Sequence, residues 1–129
     1  MGKRYLLDSN TVIDYIGGLY SGKSKQRLDQ LIDEEINVSI ITKMEVLSFN
    51  PEKDDNYPIL IEFFDVSNIF ELTDEIVNKT IQTRQKQKIK LPDAVIASTA
   101  LVNGMILVTR NTKDFKNIPD LKTVNPCDI

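Results

Sequence analysis

Four acidic residues stand where their side chains could share a divalent metal ion. Asp8 ends the apolar run "RYLL", Glu45 closely follows "INVSII", Asp93 lies in "LPDA", and Asp114 lies just past "MILVT". Each position comes directly after a predicted strand or in the first turn of a predicted helix, so all four should project from one edge of a parallel sheet. Clustered carboxylates repel each other in a partly desolvated cleft, and a cation resolves that repulsion. We expect Mg2+ or Mn2+, which prefer carboxylate oxygens.

The composition excludes several other kinds of catalytic or metal site. The chain has no histidine and one cysteine, Cys127. A Ser-His-Asp or Cys-His catalytic site, a His-rich or four-cysteine zinc site and an intrachain disulfide are therefore impossible. A metal-bound water needs no histidine base, because the metal itself lowers the pKa of the water.

Each acid also has a structural interpretation that the sequence leaves open. Thr42 and Glu45 have the spacing of a capping box. Asp93 and Asp114 would complement helix dipoles, and Asp8 would suit an ordinary turn. The occurrence of all four acids at one predicted edge favours the metal site.

Alternating strands and helices must position these acids. The patterns predict strands at "RYLL", "INVSII", "IFEL", "MILVT" and "LKTV", while "ILIEFF" is ambiguous between helix and strand. Ser9 or Asn10 is predicted to cap a helix that runs to about Ile16. Further helices are predicted to begin at Thr42 in "TKMEVLSF", at Thr73, and in "LPDA", where the helix runs to Asn103 with Gly104 as its C-terminal cap. This order predicts one α/β domain over residues 1–129, with a parallel sheet covered on both faces.

The stretch "GGLYSGKS", Gly17 to Ser24, matches the phosphate-loop pattern G-x-x-x-x-G-K-[ST]. A working phosphate loop follows a buried strand, whereas "NTVIDYI" before Gly17 is predicted to be a helix. No apolar run ending in a metal-binding Asp follows at a suitable place. We therefore predict a glycine-rich connection between the first two helices, with Lys23 and Lys25 as candidate RNA contacts.

Four segments in this order resemble the motif blocks of PIN-domain ribonucleases, particularly the small VapC-like toxins of prokaryotic toxin-antitoxin pairs. They are "YLLDSNTVID", "TKMEVL", "LPDAVIASTA" and "LVTRNTKDF", and they extend from Tyr5 to Phe115. The resemblance implies a three-layer α/β/α sandwich and a metal-dependent endoribonuclease. It also implies a small inhibitory antitoxin and a homodimer as partners.

The resemblance assigns roles to individual residues. Asp8, Glu45 and Asp93 would be the principal metal-binding and catalytic acids, with Asp114 as a fourth. Many relatives carry an Asp at the position of Asn111, whereas others carry an Asn there and an acid three residues later, as this chain does. Polar positions close to the acids are Ser9, Asn10, Thr109 and Asn111, of which Ser9 would equally suit a helix cap.

RNA needs cations, because phosphate contacts dominate its binding. The chain has 16 Lys and Arg against 19 Asp and Glu, so its net charge of -3 does not supply them, and a local patch must. Candidates flank two of the acids in sequence: Arg84, Lys86, Lys88 and Lys90 before Asp93, and Arg110, Lys113 and Lys116 around Asp114. The alternative is a solvated helix face and loop.

Other functions fit the sequence less well. A haloacid-dehalogenase-like phosphatase would have a second Asp where this chain has Asn10, and a receiver-type signalling domain would have an acidic pair after the first strand. A PIN-like fold that binds RNA or protein without catalysis remains an alternative. The N-terminus lacks a signal-peptide apolar region, and "AVIASTALV" is too short to cross a bilayer, so we expect a cytoplasmic protein without a membrane partner.

Overall fold

The structure is a computed structural model that describes residues 2–48 and 51–129. Its described elements are, in chain order, β1 (Tyr5–Leu7), α1 (Ser9–Ile16), α2 (Gly22–Glu34), β2 (Asn37–Ser39), α3 (Ile40–Leu47), α4 (Tyr57–Asp65), β3 (Asn68–Phe70), α5 (Asp74–Lys86), α6 (Leu91–Asn103), β4 (Ile106–Val108), α7 (Thr112–Phe115), β5 (Thr123–Val124) and a short 3-10 helix (Pro126–Asp128). The ambiguous segment "ILIEFF" therefore lies in a helix, α4.

Every strand pairing among the described residues is parallel, as predicted. β1, β4 and β5 are paired in that order, and β2 is paired with β3. The buried side chain of Asn37 connects the two groups: its Nδ2 donates a hydrogen bond to the Tyr5 carbonyl at 3.0 Å, and its Oδ1 accepts one from Asn68 at 3.0 Å. A polar side chain thus links β1, β2 and β3 at the centre of the fold.

Alternating side chains of β1 and β4 point to opposite faces of the sheet, as the period of a strand requires. Leu6 and Leu107 are fully buried in a core cluster with residues of α6 and α7. Leu7 and Val108 are buried in the other cluster, with residues of α1, α2 and α4. The sheet is therefore covered by helices on both faces, which confirms the predicted α/β/α sandwich.

The helix α6 is buried on nearly all sides, because it lies between the sheet and α5. Ala94, Ala97 and Ala100 have no exposed surface, and small side chains at these positions allow close packing. The helix ends at Gly104, which has φ +65° and caps the helix in the left-handed conformation, as predicted. This packing fixes the N-terminus of α6, where Asp93 lies.

Two predicted helix N-caps are wrong. Asp8, rather than Ser9 or Asn10, caps α1, and Ser39 caps α3, whose first residue is Ile40. Thr42 therefore lies inside α3 and forms no capping box with Glu45. Strand pairing explains both differences. Asp8 directly follows β1 and Ser39 ends β2, so both have the extended backbone that an N-cap requires.

Of two other predicted helix boundaries, one is tested. The prediction that Thr73 caps α5 is confirmed, since its hydroxyl accepts a hydrogen bond from the Ile76 amide at 3.2 Å. The predicted end of the "TKMEVLSF" helix at Phe49 lies outside the described residues.

The stretch "GGLYSGKS" connects two helices, as predicted. Gly17 follows α1, and Gly22 begins α2. A phosphate loop requires a strand before its first glycine, so this stretch does not form one.

Over residues 2–48 and 51–129, no helix has both the length and the apolar character needed to span a membrane.

Candidate active site

Asp8 is held in place by backbone contacts on both sides. Its Oδ1 accepts a hydrogen bond from the Thr11 amide at 2.8 Å, and its own amide donates to the Val108 carbonyl at 3.2 Å. The residue is 6% exposed. The start of α1 therefore fixes one carboxylate oxygen beside the end of β4 and leaves Oδ2 outside this capping bond.

Glu45 is an exposed residue of α3 whose carboxylate is oriented by α1. Ser9 Oγ donates a hydrogen bond to Glu45 Oε1 at 2.6 Å, and a second hydrogen bond joins Ser9 Oγ to Thr42 Oγ1 at 3.2 Å. Ser9 does not cap α1, so its hydroxyl is available for these contacts. The result is a polar bridge between two helices that begin at neighbouring strand ends.

Asp93 lies in the first turn of α6 and is partly buried. Burial is the largest cause that raises the pKa of Asp93 above its ordinary value. The charges of Asp114, Glu45 and Asp8 raise the pKa further, in that order. Lys90 acts in the opposite direction. Residues far apart in the sequence thus bring their charges together at Asp93, which is where a cation would relieve their repulsion.

The turn after β4 bears on whether Asn111 or Asp114 is the fourth group. Thr109 is buried, and its hydroxyl accepts a hydrogen bond from the Asn111 amide at 3.1 Å. Asn111 occupies the N-cap position of α7 without a side-chain capping bond, and Asp114 is exposed in the first turn of α7. Asp114 lines the same cleft as Asp93, whereas Asn111 is not among the described residues of that cleft. The assignment of the fourth group to Asp114 stays a prediction. Asn10 is partly buried at the second position of α1.

The donor set suits a hard divalent cation, although it is not a preformed cage. Within the described parts of the chain, no three acidic or cysteine side chains converge closely enough to hold an ion as they stand. Like charges repel at short distance, so close convergence of carboxylates is favourable only with the cation between them. The groups that would hold Mg2+ or Mn2+ are the carboxylates of Asp8, Glu45, Asp93 and Asp114.

The structure divides the predicted basic residues. A cleft of about 650 Å³ contains Arg84, Lys88, Lys90 and Lys113 together with the acids Asp93 and Asp114. Lys86, the last residue of α5, and Lys116, the residue after α7, are not among its described lining residues. Lys23 and Lys25 also lie elsewhere, in α2, and Lys25 pairs with Asp29. Four of the predicted RNA contacts are therefore collected beside two of the predicted metal ligands.

Arg110 has a partner that the sequence analysis missed. Its Nη1 lies 2.8 Å from Oδ2 of Asp14, a buried residue of α1. Thr11 and Asp14 are three residues apart and both buried, which places a polar patch on an inward-facing side of α1. The sequence signal for a partner of Asp14 was its spacing of three residues from Thr11 in a short apolar helix. An acid that such a helix buries requires a partner.

Comparisons with known proteins agree with this architecture. A family model described as "PIN domain" matches residues 5–121. A chain of a toxin-antitoxin complex from Klebsiella pneumoniae is similar, with 31% identity, a TM-score of 0.74, and coverage of 97% of this chain and 99% of that chain. A chain of VapBC-1 from nontypeable Haemophilus influenzae has 25% identity, a TM-score of 0.73, and coverage of 95% and 97%.

A third similar structure is DNA-bound VapBC from Salmonella typhimurium. It has 23% identity, a TM-score of 0.77, and coverage of 98% of this chain and 100% of that chain, so this likeness supports the fold. The search of curated proteins found no match.

Proposed function

The chain belongs to the PIN domain family and is similar to VapC-like toxins, and from this premise we propose that it is a metal-dependent endoribonuclease, the toxin of a toxin-antitoxin pair. Members of this family are nucleases. The finer proposal is that this chain hydrolyses RNA phosphodiester bonds with Mg2+ or Mn2+. An enzyme that acts on cellular RNA would work in the cytoplasm.

One observation supports the proposal most: Asp93 shares a cleft with Asp114, and after burial the charges of Asp114, Glu45 and Asp8, which are remote in the sequence, raise the pKa of Asp93. In the proposal Asp8, Glu45, Asp93 and Asp114 hold the metal. The bound cation would supply an activated water and stabilise the leaving oxygen. The protein itself positions the carboxylates: the Thr11 amide orients Asp8, and the Ser9 hydroxyl orients Glu45. Thr109 shapes the turn that leads to Asn111 and Asp114.

A nuclease assay tests the metal and the acids together. RNA is incubated with the protein and Mn2+ or Mg2+, with and without a chelator, and with Asp8→Asn and Glu45→Gln. Both variants keep the shape and the hydrogen-bond acceptor of the side chain, so the cap of α1 and the bond from Ser9 can persist. Glu34→Gln, an exposed position at the end of α2, is the matched control.

We expect cleavage only with the metal, loss of cleavage in Asp8→Asn and Glu45→Gln, and full cleavage in Glu34→Gln. Cleavage that survives both the chelator and Asp8→Asn would refute the metal-acid mechanism. If the folded protein cleaves no RNA but binds it, the chain is a catalytically silent PIN-like module. Turnover of a phosphate monoester would instead favour a phosphatase, which Asn10 in place of a second Asp argues against.

A small antitoxin and a second copy of the chain complete the proposal. The similar structures from Klebsiella pneumoniae and Haemophilus influenzae are toxin-antitoxin complexes, which supports an antitoxin partner here. The apolar segment "ILIEFF" is divided: Leu60, Phe63 and Phe64 are buried in the core, whereas Ile59 and Ile61 are exposed. Light scattering of the protein alone, and after co-expression with the product of a neighbouring small gene, measures both associations.

A further inference from the structure

The cleft that contains Arg84, Lys88, Lys90 and Lys113 has a fixed wall. Arg84 Nε donates a hydrogen bond to the Ile89 carbonyl at 3.2 Å, and Gln87 Nε2 donates to the Asn117 carbonyl at 3.2 Å. The first bond joins α5 to the turn between α5 and α6, and the second joins that turn to the segment after α7. The cations of the cleft are thus carried by two segments that are joined across it.

The cleft opens from one side of the acids. Asp93 and Asp114 line it, whereas Asp8 and Glu45 are not among its described lining residues. Arg110 does not extend the positive charge around the site, because its guanidinium pairs with Asp14. Four cations therefore lie beside Asp93 and Asp114, on the side of the acidic centre that Asp8 and Glu45 do not line.

Resting on the proposed nuclease function, we propose that this cleft binds the phosphates of the RNA nucleotides on one side of the cleaved bond. The RNA strand then crosses the acidic centre with a defined polarity. The cleaved phosphate lies at the carboxylates, and the neighbouring phosphates on that one side lie against the lysines. On the other side of the cleaved bond the strand makes fewer ionic contacts with the protein.

The chemistry of the lining fits a single-stranded polyanion. Lys88, Lys90, Lys113 and Arg84 are exposed, so their charges are available to phosphates. Ile89 adds a half-buried apolar side chain to the same lining. The volume of about 650 Å³ exceeds that of a site for one small ion and lies within the usual range of ligand clefts.

Salt-dependent binding tests the cleft without requiring catalysis. A fluorescent 12-nucleotide oligo(U) is titrated with the Asp8→Asn protein at several salt concentrations, in buffer with Mn2+. The test variant adds Lys88→Gln and Lys113→Gln, and the matched control adds Lys3→Gln and Lys122→Gln. The control lysines are exposed and precede β1 and β5, at the opposite edge of the sheet.

The test variant should bind oligo(U) more weakly, and the slope of log affinity against log salt should fall by about 1.4, because each contact with a single strand contributes about 0.7. The control should leave the slope unchanged. An unchanged slope in the test variant, or an equal loss in the control, would overturn the proposal. If instead RNA binding is unchanged but binding of the co-expressed antitoxin is lost, the cleft binds an acidic protein segment.

The polarity is tested with the catalytically intact protein and an RNA that it cleaves. Neutral methylphosphonate linkages are introduced one at a time on each side of the cleaved bond. We expect the cleavage rate to fall for substitutions on one side only, and this asymmetry to disappear in Lys88→Gln/Lys113→Gln. Equal sensitivity on both sides would overturn the polarity. If the nuclease assay finds no RNA that the protein cleaves, but the salt slope of oligo(U) binding falls in Lys88→Gln/Lys113→Gln, the nuclease is refuted while the RNA-binding cleft stands.

Discussion

Arg110 Nη1 lies 2.8 Å from Asp14 Oδ2 and joins the turn after β4 to α1. The Asp14 side chain is 8% exposed and the Arg110 side chain is 50% exposed, so a nearly buried carboxylate depends on a partly exposed cation. The pair holds the chain between Thr109 and Asn111 against the helix that begins beside Asp8. The pair also involves the guanidinium of Arg110, which the sequence analysis counted among the candidate RNA contacts.

Removal of the Arg110 charge should destabilise the protein. Arg110→Met leaves Asp14 buried without a cation, and we expect a loss of about 1–3 kcal/mol, between the values for exposed and buried pairs. Urea unfolding measures this loss. Asp14→Asn combined with Arg110→Met should recover part of it, because the unpaired charge is gone. A fall in the salt slope of RNA binding without any loss of stability would show that Arg110 binds RNA instead.

Removal of one charge from the acid cluster should stabilise the metal-free protein. Burial and three nearby carboxylates raise the pKa of Asp93, so its ionised form is unfavourable in the folded chain. Asp93→Asn should therefore raise the Tm in the presence of a chelator. Mn2+ should raise the Tm of the wild type but not that of Asp93→Asn. A lower Tm for Asp93→Asn than for the wild type in chelator would contradict this prediction. The control variant is Asp65→Asn, at the exposed end of α4.

The contact between Ser9 and Glu45 predicts a variant with a functional but little structural effect. Ser9→Ala removes the hydrogen bond to Glu45 Oε1 and should weaken Mn2+ binding and slow RNA cleavage. Stability should change by less than about 1 kcal/mol, because Asp8 rather than Ser9 caps α1. Ser9→Thr keeps the hydroxyl and should recover activity. If Ser9→Ala lowers stability and leaves cleavage unchanged, Ser9 has only a structural role.

Ser39 should stabilise the start of α3. Its hydroxyl accepts a hydrogen bond from the Ile41 amide at 3.1 Å, and Ser39→Ala should lower the free energy of unfolding by about 1 kcal/mol, the typical cost of losing an N-cap. Thermal or urea unfolding checks this value. Ser67→Ala, which removes a hydroxyl bonded to the Phe63 carbonyl at the end of α4, is a comparison that removes no N-cap. An equal or larger loss in Ser67→Ala would argue against a special role for Ser39.

Many features of the fold follow from patterns within single segments. The apolar runs predicted the positions of the strands, Thr73 predicted the start of α5, and Gly104 predicted the end of α6. The acids at the ends of these elements followed from the same reading, because parallel strands bring their carboxyl ends to one edge. Periodicity and capping are local properties, so the sequence alone determined them.

The tertiary structure decided between neighbours that are locally equivalent. Asp8, Ser9 and Asn10 are all suitable N-caps, and the end of the pairing between β1 and β4 selected Asp8. Lys88 reaches the cleft and Lys86 does not, because α5 ends between them. The pairing of Arg110 with Asp14 likewise depends on two segments that meet only when the sheet forms. These outcomes depend on contacts between residues that are far apart in the chain. The energies of such contacts cannot be read from a local sequence pattern.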